Sequence, residues 1–116
     1  MTMTPTPDFD ADGYPTEGTL DAIRDWPIDT LADMEAAMDF AGSAWRYDAW
    51  SKERGWTDPD DGNRPRVRYV FSTYGWSGNE SIVDAIEGNQ MLQMIGAWSW
   101  RRGGHYEYRF PMDPQP

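Results

Sequence analysis

Two short runs constrain the fold most tightly. Val67, Tyr69 and Phe71 alternate with Arg66, Arg68 and Val70, and Tyr106, Tyr108 and Phe110 alternate with His105, Glu107 and Arg109. A two-residue period sends successive side chains to opposite faces, so each run predicts a strand with one buried, largely aromatic face. Pro111 closes the second run, because proline has no N–H to give to a ladder. Between the runs, Ile82, Val83, Ile86, Met91, Leu92, Ile95 and Trp98 keep to helical spacing. They predict a helix from about Asn79 to Arg101, opened by Ser77 and Glu80 at capping-box spacing. Arg101 and Arg102 suit its negative end, and Gly103 the left-handed residue that terminates it. Gly88 and Gly96 each weaken it by about 1 kcal/mol relative to alanine, and Gly88-Asn89 is a candidate break.

Two further helices are expected ahead of these elements. Thr16 can cap one in which Leu20, Ile23 and Trp26 recur every three residues, with Asp21 and Asp25 on its polar side and Pro27 at its end. Asp29 or Thr30 can start another, whose Leu31, Met34, Met38, Ala41 and Trp45 form one buried stripe while Asp33, Glu35 and Asp39 lie mostly off it. Residues 1–15, rich in proline, threonine and aspartate, read as an extended acidic arm with mobile first residues. Residues 46–65 read as a loop holding Trp50, Trp56 and the turn-forming run Asp58 to Asn63.

The expected architecture is α+β: a single domain over residues 16–110 and a short tail over 111–116. Two N-terminal helices precede a β-α-β unit in which the long helix packs on a short sheet. Strand pairing is open, parallel if the helix is an unbroken crossover and antiparallel if it folds back. With 116 residues, seven Trp, six Tyr and four Phe, the chain can build a core without metal or disulfide staples, each aromatic burying about 150–250 Å². The absence of cysteine removes thiol nucleophiles and thiolate metal sites, and fits a reducing cytoplasm. The longest mostly apolar run, Met91 to Trp100, is short of the roughly 20 residues that span a bilayer. Met1 to Asp8 lack the basic and apolar regions of a signal peptide.

Charge is strongly segregated. The first forty residues hold ten acids against one arginine, residues 41–64 five acids against four bases, and residues 65–116 five of each. Nearly all of the net charge of -10 is therefore N-terminal. Such a field attracts a basic partner and opposes nucleic acid.

Chemical motifs are sparse. Asp8, Asp10 and Asp12 before Gly13 resemble the start of a calcium loop, but Thr19 stands where a bidentate Glu should close it and Pro15 where the loop needs a ladder N–H. No metal site or cofactor is expected. His105 is the sole histidine, and Ser77 lies in a capping context rather than a nucleophile elbow. Trp26, Trp45 and Trp98 fall on apolar stripes, whereas Trp50, Trp56 and Trp76 fall in predicted loops, where aromatics serve as interface anchors.

Two stretches, Ser72-Thr73-Tyr74-Gly75-Trp76-Ser77-Gly78-Asn79-Glu80 and Arg101-Arg102-Gly103-Gly104-His105-Tyr106-Glu107-Tyr108, resemble a signature of small phage and prophage proteins. Asp12-Gly13-Tyr14-Pro15-Thr16 resembles their opening. The resemblance implies a phage accessory protein acting in the host cytoplasm, and by analogy an anti-defence, anti-CRISPR-like role. The resulting expectation is a non-enzymatic protein that docks on a basic surface of a host defence or nucleic-acid-binding complex. Asp21, Asp25, Asp29, Asp33, Glu35 and Asp39 would supply charge, with Trp50 and Trp56 as aromatic contacts. One alternative is a nucleotide-sequestering protein with a pocket of Trp76, Asn79, Arg101, Arg102 and His105. A virion structural component is another. An enzyme is the reading least favoured by these residues.

Overall fold

The structure, a computed structural model, describes residues 6–45, 50–73, 76–94, 98–102 and 104–112, with residues 98–102 described by backbone alone. Helices α1 (Glu17–Arg24) and α2 (Leu31–Ser43) lead to strands β1 (Trp50–Asp58) and β2 (Arg64–Ser72), helices α3 (Ser77–Glu87) and α4 (Gln90–Met94), and strands β3 (Trp98–Arg102) and β4 (His105–Pro111). The strands form one antiparallel sheet in the order β1-β2-β4-β3. The fold is α+β with two N-terminal helices, as the sequence predicts. Because β4 runs antiparallel to both β2 and β3, those two strands point the same way with β4 between them. The β-α-β crossover therefore joins β2 to β3, not β2 to β4, and the two aromatic runs pair antiparallel.

The N-terminal helices obey local rules. Thr16 caps α1 by accepting from Thr19 N. Thr30 caps α2 in a complete capping box, with Asp33 reaching back to the Thr30 N–H. Residues 8–16 fold back rather than extend. Asp8 N–H donates to Thr19 Oγ1, Thr16 N–H donates to the Asp8 carbonyl, and Phe9 bridges Pro15. Asp10, the middle acid of the calcium-like motif, spends its Oδ1 on the N–H groups of Asp12 and Tyr14 at 2.9 and 3.0 Å. The motif is a side-chain-stabilised turn.

The predicted long helix is two helices and a strand. It breaks at Gly88-Asn89, the candidate break in the sequence, and Asn89 caps α4 by accepting from Leu92 N. Its last predicted turn is β3, so Trp98, Arg101 and Arg102 belong to the sheet. Gly96 and Gly103 lie outside the described residues, as do Tyr74, Gly75 and the stretches 1–5 and 113–116. The turn from β3 to β4 includes Gly104 at φ 86, where a side chain would be strained and would meet Thr73 Oγ1 at 2.9 Å. Trp76, not Ser77, is the N-cap of α3, and no side chain caps it.

The loop expected over 46–65 contains a nine-residue strand, β1, which runs into a tight turn in which Gly62 and Asn63 take positive φ. Its inward positions carry Trp50, Lys52 and Arg54, set opposite Phe71, Tyr69 and Val67. Trp50 stacks on Phe71 at 5.8 Å and lies against Gly42, where an added Cβ would sit 2.6 Å from the indole ring. Glycine is the residue that lets α2 and β1 approach at this point.

One hydrophobic core fills the space between helices and sheet. Val67, Tyr69, Phe71, Tyr108 and Phe110 meet Ile23, Met34, Met38, Trp45, Ile82 and Ile86, each almost fully buried. Burying such side chains contributes about 1.5–3 kcal/mol each. Trp45 also donates its indole N–H to the Ser72 carbonyl at 3.0 Å, tying the end of α2 to the end of β2.

Candidate docking surface

The fold sorts the charged residues into two populations. On the sheet face away from the helices, acids and bases neutralise one another. Arg109 donates to Glu107 at 2.6 Å, Asp58 at 3.0 Å and Asp60 at 2.7 Å. Arg68 pairs with Glu53 and Glu107, and Arg66 with Asp58 and Asp61. Trp56 covers this network, with the Arg68 and Arg109 guanidinium groups 5.0 and 4.8 Å from its ring. Burial raises the Glu107 pKa, but hydrogen bonds from Arg68 and Arg109 outweigh it and hold the carboxyl below its ordinary range.

The helical layer is different. α1 packs on α3, and residues 16–29 and 77–89 together carry seven acids against Arg24 alone. Glu17, Asp25, Asp29, Glu80 and Asp84 are exposed and have no ion-pair partner among the described residues. Arg24 is held by Asp21 at 2.6 Å. Asp33 is kept ionised chiefly by the Asp29 N–H, with help from Thr30, and its pKa lies below the usual value.

The six acids expected to act together divide. Asp21, Asp25 and Asp29 lie on α1 and the turn after it, and Asp33 on the first turn of α2. Glu35 and Asp39 point instead to β1, where Arg54 binds Glu35 at 2.8 Å and Lys52 binds Asp39 at 3.0 Å. Asp39 also accepts from the Tyr69 hydroxyl at 3.0 Å, and burial with the nearby Asp39 charge pushes that phenol's pKa upward. Trp50 and Trp56 are not loop residues: both are half-buried in β1, one against Phe71 and the other over the arginine network. Neither is presented as an exposed anchor.

The residues of the expected nucleotide pocket have different surroundings. Asn79 is fully buried in α3, and Trp76 stacks on Tyr14 at 5.0 Å. His105 is exposed on β4, where its Nδ1 shares a 2.7 Å hydrogen bond with Ser72 Oγ. The Arg101 and Arg102 backbones pair with Tyr106 and His105, and their side chains lie outside the described residues.

Sequence reasoning misses the acids of α3 as site residues. Glu80, Asp84 and Glu87 are spaced four and three apart, which is one helix face opposite the apolar stripe. That spacing is readable, but their alignment beside α1 is a tertiary fact.

Two depressions flank the turn that ends α1, and both are lined by Asp25, Trp26 and Pro27. One, of about 390 Å³, adds Ala22 and Asp33. The other, of about 400 Å³, adds Arg24, Gly88, Asn89, Gln90 and Met91. Trp26 rests one side on Phe40, with ring centroids 5.2 Å apart. Asn89, buried between the helices, donates Nδ2 to the carbonyls of Ile23 and Trp26 at 2.9 and 3.3 Å and so fixes the turn.

The chain is thus a small α+β protein with a self-neutralised sheet and an acidic helical face. No family model matches it, and no solved structure matches it. Over 94 residues, or 77% of the chain, it is 30% identical to the 5,5'-dehydrodivanillate O-demethylase oxygenase subunit of Sphingobium sp. (strain NBRC 103272 / SYK-6). The chain spans 22% of that relative's length.

Proposed function

We propose that this is a non-enzymatic binding protein whose acidic helical face docks on a basic surface of a partner protein. The observation that carries the reading is the sorting of charge: Arg66, Arg68 and Arg109 on the sheet are consumed by neighbouring acids, while Glu17, Asp25, Asp29, Glu80 and Asp84 stay unpaired among the described residues. Exposed like charges repel, so a helical face that retains them favours a partner of opposite sign. The docking face is α1 with α3, in place of an acidic N-terminal third acting alone. A phage accessory role in the host cytoplasm, directed at a defence or nucleic-acid-binding complex, rests on the resemblance of the Ser72 to Glu80 and Arg101 to Tyr108 stretches.

The likeness to an oxygenase subunit favours a second reading, in which the chain shares a structural module with such a subunit. One histidine and no cysteine leave this stretch few nitrogen or sulfur donors for a transition metal, so that reading gives it a scaffolding part.

The test is affinity capture from host lysate at low and high salt, beside a variant with Glu17, Asp25, Asp29 and Asp84 changed to lysine. The expected partner is released by salt and absent from the variant's capture. A partner retained equally at high salt, or bound equally by the variant, refutes the electrostatic docking face.

A further inference from the structure

The two depressions beside Asp25-Trp26-Pro27 bring apolar surface and unpaired acid together on the helical face. Trp26, Pro27 and Ala22 supply the apolar lining, and Met91, 45% exposed, extends it beyond the turn. Asp25 lines both depressions, and Asp29 stands two residues beyond Pro27; neither carboxylate has an ion-pair partner among the described residues. The cation on the rim, Arg24, is occupied by Asp21. Asn89 and Phe40 hold the turn and the indole from beneath, so the site is formed before anything binds.

We infer that this turn receives an arginine-bearing, otherwise apolar segment of a partner protein, its guanidinium over Trp26 and against Asp25, its aliphatic neighbours in the two depressions. The inference rests on the acidic-docking reading and names its anchor. Arginine suits the site better than lysine because its planar, weakly hydrated head stacks on an indole while pairing with a carboxylate. A nucleic acid or an acidic peptide would meet repulsion from Asp25, Asp29 and Asp33.

The probe is a synthetic nine-residue peptide of alternating leucine and arginine, compared with its citrulline counterpart and with polylysine. Binding is measured by calorimetry and by ¹H–¹⁵N spectra of the full chain. Expected are shifts at the Trp26 indole N–H and the Ala22 and Asp25 amides, and loss of binding with citrulline. Asp25→Asn should weaken the arginine peptide about threefold and Trp26→Ala about tenfold. Met91→Lys, a surface change that leaves the core intact, should weaken it by a similar few-fold through repulsion, about threefold. Arginine-peptide binding unchanged in Asp25→Asn and Met91→Lys, or spectra that shift elsewhere, overturns the inference. If polylysine binds in a salt-dependent way but the arginine peptide does not, the anchor is refuted and the acidic face stands; if neither binds, both fall.

Discussion

Replacing Asn89 by alanine should loosen the junction on which the helical layer turns. The side chain is 2% exposed and makes three hydrogen bonds: Oδ1 accepts from Leu92 N at 3.2 Å, and Nδ2 donates to the Ile23 and Trp26 carbonyls at 2.9 and 3.3 Å. Losing the cap of α4 costs about 1 kcal/mol. The Ile23 carbonyl keeps its bond from the Trp26 N–H, whereas no second donor reaches the Trp26 carbonyl among the described residues. Leaving that carbonyl unmet, with a weaker loss at Ile23, adds about 1–2 kcal/mol. The expected total is about 2–3 kcal/mol, a large share of the roughly 5–15 kcal/mol that holds a domain of this size together. Urea denaturation monitored by far-UV circular dichroism reads it as a lower midpoint at unchanged slope. Asn89→Asp separates the two roles, because a carboxylate keeps the cap but turns an oxygen toward two carbonyls. It should therefore be worse than alanine at neutral pH and recover partly in acid, where the protonated side chain regains one donor. A loss below about 0.5 kcal/mol for alanine, or an aspartate variant as stable as wild type at neutral pH, would refute the account of Asn89 as a bridge between α1 and α4.

Two further outcomes test the sheet. Glu107 has a folded-state pKa below its unfolded value, so the unfolded chain binds more protons between the two; stability from this group is present above the unfolded pKa and lost as pH falls through the folded one. Thermal melts of Glu107→Gln should show a flatter acid limb than wild type, and identical limbs would remove Glu107 from the explanation. Trp56→Ala should cost about 1–2 kcal/mol by removing two guanidinium contacts, yet leave partner capture unchanged, because Trp56 covers the sheet network rather than the helical face. Lost capture from a still-folded Trp56→Ala protein would return that residue to the docking surface.

The parts of the fold legible in the sequence are those where one face is apolar. Val67, Tyr69 and Phe71, and Tyr108 and Phe110, announce their strands because their inward side is hydrophobic. β1 carries no such signal: two of its inward positions, Lys52 and Arg54, are charged and find Asp39 and Glu35 on α2. Its alternation becomes readable only when the partners are known. β3 is hidden for the opposite reason. Trp98 continues the helical stripe from Ile95, and the two-residue step to Trp100 is the competing strand signal. Among candidate site residues, Asp25 and Asp29 are named by the sequence and unpaired among the described residues, while Glu35 and Asp39 are named and consumed by β1. Long-range ion pairs make that difference, and no local spacing encodes them.

The same pairing explains where a chain of net charge -10 must carry its surplus. Five of its ten bases, Lys52, Arg54, Arg66, Arg68 and Arg109, sit on β1, β2 and β4 and bind acids in or facing the sheet. Packing them there brings Glu35 and Asp39 out of the N-terminal pool and Asp58, Asp60 and Asp61 out of the hairpin turn. The charge that the sheet does not neutralise is divided among the described residues between Asp8, Asp10 and Asp12 of the N-terminal turn and the surface of α1, α3 and the turn at Pro27, which has one arginine of its own. Salt sensitivity of a partner docked on the helical face should therefore map to those helices. Reversing Glu35 and Asp39 would instead set like charges against Lys52 and Arg54, lowering stability without first touching the docking face.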